Sequence, residues 1–120
     1  MTDRRNWAET HQRGWEAALA TLRESGWQAR MTCLAAPVQI EGVLPCGEHF
    51  YFRSRHDETL LAVGGEDPSD GAPWERQASY GPQGQEKASY LAAQPGLRLL
   101  LSLADLHRSS CQRRGGNPDG

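Results

Sequence analysis

Two arginines set two residues apart, Arg53 and Arg55, are the groups in this chain best suited to grip a charged partner. They sit in the stretch FYFRSRHDETLLAV, from Phe50 to Val63. In an extended segment alternate side chains share a face, so Phe50, Phe52 and Ser54 point one way and Tyr51, Arg53 and Arg55 the other. Two guanidinium forks standing roughly 7 Å apart can share an anionic ligand or engage an acidic protein surface. Tyr51 and Arg30 extend that patch, and Trp74 is a further contact candidate, because aromatic residues and arginine dominate binding hot spots. The plain alternative is a solvated face on which the arginines pair with Glu41 or Glu58 across the sheet.

Other chemistries have thinner support. Cys46 and His49 lie three residues apart, with Cys33, His56 and Asp57 as conceivable companions. A structural zinc site needs four ligands, usually in two tight pairs, and only one loose pair is present. The expectation is a buried free thiol at Cys46 and a surface imidazole at His49. For nucleophilic catalysis, Cys46, Glu48 and His49 are the only thiol, carboxylate and imidazole close in sequence. Neighbours on a strand point to opposite faces, which places Glu48 badly for orienting His49. The chain has no GxSxG elbow, phosphate-cradling glycine loop or dinucleotide fingerprint. The run GGEDPSDG at 64–71 lacks the EF-hand spacing and its terminal glutamate, and reads as a solvated acidic turn or a docking loop. No catalytic residue, metal ligand or cofactor is assigned.

The elements that must position the arginines are readable from periodicity. Trp7, Trp15, Ala18, Leu19 and Leu22 recur at helical spacing between Asp3 and Ser25, with Gly26 where a left-handed stop belongs. Alternation marks strands over Trp27 to Leu34, Val38 to Leu44, His49 to Arg55 and Thr59 to Val63. Their short connections require antiparallel neighbours, since a parallel return needs a crossover of about a dozen residues. Gly64 to Gln85 holds five glycines and three prolines and reads as a long irregular excursion rather than further sheet, pinned to the body by Trp74. A last helix starts near Pro95, with Leu97, Leu100, Leu101, Ala104 and His107 on one face and Leu99, Leu103 and Leu106 widening it. The expected fold is α+β: an N-terminal helix, an antiparallel meander of three to four strands, a long loop, and a C-terminal helix packed on one sheet face. Residues 1–108 form a single domain, and 109–120 read as a disordered tail.

Composition narrows the function classes. The chain has 120 residues and a net charge of −2, without the basic excess of a general nucleic-acid binder. Its three cysteines are widely spaced and no apolar leader precedes them, which fits a reduced cytoplasm. The longest apolar run, Leu97 to Leu106, is interrupted by Arg98, Ser102 and Asp105 and falls far short of a membrane span. Twelve arginines against one lysine suggest a GC-rich coding sequence and a bacterial or phage source. The order helix, antiparallel strands, helix resembles that of the double-stranded RNA-binding domain. The lysine cluster which that family places at the start of its second helix is missing here, with Arg98 the only nearby base, so no residue is carried across.

The function expected from these features is a small accessory or interaction protein, immunity-like or inhibitor-like, that binds a macromolecular partner through the sheet face and the 64–85 loop. A small anionic-ligand or nucleotide-binding domain with an arginine clamp is the alternative, and a Cys/His hydrolase or metal enzyme comes third. A homodimer is compatible with the exposed edge strands, one of which Pro37 and Arg30 can blunt.

Overall fold

The computed structural model describes residues 4–32, 38–80, 84 and 91–115. Helix α1 spans Arg4–Glu24 and buries His11, Trp15, Ala18, Leu19 and Leu22, a single stripe at helical spacing. It ends in a Schellman motif. Trp27 donates its backbone N–H to Leu22 and Gly26 donates to Arg23, with Gly26 at φ +96°. A side chain at that φ would be strained, so the glycine both stops the helix and aims the chain into the sheet.

Five strands follow: β1 (Gln28–Met31), β2 (Val38–Val43), β3 (His49–Arg55), β4 (Glu58–Val63) and β5 (Trp74–Ser79). They form one antiparallel sheet in the order β1-β2-β3-β4-β5, so every neighbour in sequence is a neighbour in space. The expected irregular excursion is corrected here: its second half is β5, paired with β4 from Glu58↔Ser79 to Val63↔Trp74. The segment WERQAS has little apolar content and pairs as an edge, where one side of the ladder and much of the side-chain surface stay in water. Ahead of β5 the chain makes a single 3-10 turn, Pro68–Asp70, which Asp67 caps by accepting from the Ser69 backbone N–H.

Helix α2 spans Ala93–Gly115, continuing into the first residues of the expected tail. Its inward stripe is Leu97, Leu100, Leu103 and His107, whereas Leu101 and Leu106 are exposed. The apolar face is therefore narrower than the leucine count suggests and is rotated toward Leu103. The two helices touch closely. Trp15 donates its indole N–H to the Leu91 carbonyl at 2.9 Å, and a Cβ on Gly96 would come within 2.5 Å of the same ring. Beneath them lie Val38, Ile40, Phe50, Phe52, Leu61 and Val63, with Trp27 set edge-on to Phe50 at 5.3 Å. The core is thus one layer of helices against one face of the sheet. Leu34, Pro37 and the capping role of Asp3 fall outside the described residues, as does the side chain of Trp7.

Candidate functional site: the open face of the sheet

The strand register sorts side chains onto two faces without ambiguity, because residues directly opposite each other point the same way. Phe50 and Phe52 lie under the helices, so Tyr51, Arg53 and Arg55 stand on the other, uncovered face. Across the sheet, one row of that face reads Arg30, Glu41, Tyr51, Ala62, Glu75. The next reads Gln39, Arg53, Leu60, Gln77, and beyond it Arg55 faces Glu58 and then Ser79.

Charge pairing on this face differs from the solvated-surface expectation. Glu41 accepts from Arg30, not from Arg53 or Arg55, at 2.7 Å. Arg30 wins because it is directly opposite Glu41 in the register, while Arg53 lies a row away. Glu58 is opposite Arg55, yet among the described residues neither Arg53 nor Arg55 makes an ion pair. The two guanidinium groups border a shallow recess of about 80 Å³, shared with His56, Glu58, Leu60 and Gln77. At the hairpin tip beside them His56 takes φ +58°, a left-handed conformation in which histidine is one of the better tolerated residues. Asp57 accepts from the backbone N–H groups of Tyr80 and Gly84, through its carbonyl and its carboxylate, and so ties the chain after β5 to this hairpin.

At the opposite end of β4 the connection to β5 folds back over the same face. Pro68 is buried, and its turn packs against β3 and β4. Ala62 is fully buried although it belongs to the open face and lies outside the main core cluster. Between this turn and the first three strands runs a groove of about 600 Å³, walled by Tyr51, His49, Arg30 and Glu41 on the sheet and by Glu66, Asp67 and Ser69 on the loop. Arg23 also reaches it, but its Nε and Nη2 both donate to the Ala29 carbonyl, at 3.1 and 2.8 Å. That fork occupies an acceptor on the edge strand and so blunts the edge. The acidic residues Glu66, Asp67 and Asp70 are exposed on the loop.

The five candidate residues are therefore brought together only in part. Tyr51, Arg53 and Arg55 share a strand face, and Arg30 stands in the same row as Tyr51. Trp74 is on the other side. It is half-buried under α2, its ring edge-on to His107 at 5.0 Å.

A second cluster could not be seen from local spacing. Glu48 on the helix side approaches His107 Nε2 at 3.5 Å and receives the Cys46 thiol at 3.8 Å through the same oxygen, Oε1. Cys46 is exposed, which corrects the expectation of a buried thiol; it sits on the β2–β3 turn, with open solvent on one side. Catalysis would need the imidazole beside the nucleophile and a third group orienting the imidazole. Here the carboxylate is in the middle, so the arrangement ties α2, through His107, to the β2–β3 turn and does not order a thiol for attack. Among the described residues no group of three or more histidine, cysteine and acidic side chains is placed to hold a metal ion. No helix among them is long and apolar enough to cross a membrane.

Searches of protein-family models, curated proteins and solved structures each gave no match to this chain. The reading of the site rests on its own geometry.

Proposed function

We propose that this protein is a non-enzymatic interaction module, a small cytoplasmic accessory protein of the immunity-like or inhibitor-like kind, which engages a macromolecular partner through the open sheet face and the loop that overhangs it. The observation that carries the proposal is the pair Arg53 and Arg55: two cations on one uncovered face, without ion-pair partners among the described residues. An ion pair at these solvent-facing positions would add little to the fold, and without one both guanidinium groups keep their donors available to a partner. Their setting favours an extended acidic surface over a small anion. A drug-sized ligand needs a cavity of about 300 Å³ or more, and the recess at the arginines is about 80 Å³. The larger groove contains two guanidinium groups, but Arg23 is occupied by a backbone carbonyl and Arg30 by Glu41.

The test is an amide-resolved NMR titration of the labelled protein with a glutamate-rich probe peptide. Shifts should concentrate at Gln39, Arg53, Arg55, Leu60 and Gln77, fade at about 0.5 M salt because exposed charges are then screened, and disappear in the R53A/R55A double variant. Equal shifts in that variant would remove the arginines from the interaction surface.

A further inference from the structure

The open face is stepped in height and in charge. Its half nearest the β4–β5 connection is raised by the 3-10 turn and carries Glu66, Asp67 and Asp70, all exposed. Its other half, toward the β3–β4 hairpin, is bare and carries Arg53 and Arg55. Connection and hairpin lie at opposite ends of β4, a strand of six residues, and hence about 17 Å apart. Among the described residues the basic half also carries two acids, Glu58, opposite Arg55 in the register, and Asp57 at the hairpin tip, whose carboxylate accepts from the Gly84 N–H.

A two-fold axis lying between the two sheets, parallel to them and perpendicular to their strands, turns the open faces toward each other and exchanges these two ends. The raised acidic half of one copy then meets the bare basic half of the other, and the same contact recurs on the far side of the axis. This is the condition for an isologous interface, in which one patch is complementary to itself. A partner that is acidic throughout would satisfy Arg53 and Arg55 but would set like charge against Glu66, Asp67 and Asp70. A second copy satisfies both halves and fills the step in height. Near the axis lie Tyr51 and Leu60, both half-buried, an aromatic and an aliphatic group of the kind found in interface centres.

We infer that the partner of this face is a second copy of the chain, packed open face to open face about a two-fold axis, with Arg53 and Arg55 of each copy against the Glu66–Asp70 loop of the other. The inference rests on the reading of the open face as the interaction surface and names its occupant. Paired charges at the rim set register and specificity more than affinity, so association should be salt-dependent.

The experiment is sedimentation equilibrium of the full chain between about 10 µM and 1 mM, a range that spans weak to moderate dimers. Two charge-reversed variants accompany it, R53E/R55E and E66R/D70R; all four positions are exposed or half-exposed, and Asp67 is left in place to cap its turn. Circular dichroism checks that both retain the fold. The wild type should dimerise, and each variant alone should weaken dimerisation roughly tenfold or more through like-charge contact. Mixed together, the variants should recover a heterodimer, identified by its mass in native mass spectrometry, because each then presents the sign the other lacks. A wild type that stays monomeric to about 1 mM overturns the inference, as does a mixture that fails to pair. Monomeric protein that still binds the glutamate-rich peptide at Arg53 and Arg55 would sink the dimer and leave the interaction surface standing; loss of both would sink the two together.

Discussion

Phe52 and Arg53 are consecutive residues of β3, yet one is sealed under two helices and the other stands on the bare half of the opposite face. Phe52 is fully buried among Ile40, Leu61 and the leucines of the helices. Arg53 lies between Gln39 and Leu60 with no ion pair among the described residues. The covered face holds most of the apolar burial and hence most of the stabilisation, since hydrophobic free energy scales with apolar area removed from water. The open face holds charge in excess of what pairing within the chain requires. A surface whose removal costs the fold little is one that selection can use for contact.

The sharpest way to break that contrast is to truncate one residue on each side. Phe52→Ala should cost about 3–5 kcal/mol in denaturant unfolding, because a buried ring leaves a cavity that the helices cannot collapse to fill. A loss under about 1 kcal/mol would mean that the covered face is not the core of the fold. Next in size is Gly42→Ala. A Cβ there would collide with the Gln28 carbonyl oxygen, so β1 must shift away from β2. The expected cost is about 1–3 kcal/mol, with hydrogen exchange faster at the β1 amides and unchanged in β3 and β4. Uniform acceleration would show that β1 and the sheet centre open as one unit. The smallest effect belongs to the open face: R53A/R55A should change stability by less than about 0.5 kcal/mol, and Arg30→Ala by no more than about 1 kcal/mol for its exposed pair with Glu41. A larger loss at Arg53 would make that side chain part of the fold and weaken the case for an interaction surface.

Much of the architecture was legible because local signals agreed with the tertiary solution. Trp15, Ala18, Leu19 and Leu22 with Gly26 define α1 and its stop, and the alternation from His49 to Val63 defines the β3–β4 hairpin. β5 was not legible, since Glu75, Arg76 and Gln77 carry no apolar alternation and the strand exists because β4 offers an unpaired ladder edge. Leu101 shows the same limit in a helix. Its spacing permits burial, but α2 packs with Leu103 inward, and that rotation is set by Trp15 against Gly96. Of the candidate site, the alignment of Tyr51, Arg53 and Arg55 followed from strand period alone. The diversion of Glu41 to Arg30, the exposure of Cys46 and the meeting of Glu48 with His107 depend on register and on docking between distant segments.

The sequence by itself determined which residues alternate, where α1 must stop and that the short connections make the strands antiparallel, because these are consequences of backbone geometry over a few residues. Only the tertiary structure decided that Arg53 and Arg55 make no ion pair among the described residues, that the 64–73 connection folds over the open face, and that Trp74 turns inward to His107. Those outcomes follow from which surface each segment can bury against another, a balance struck over the whole chain and not within any window of it.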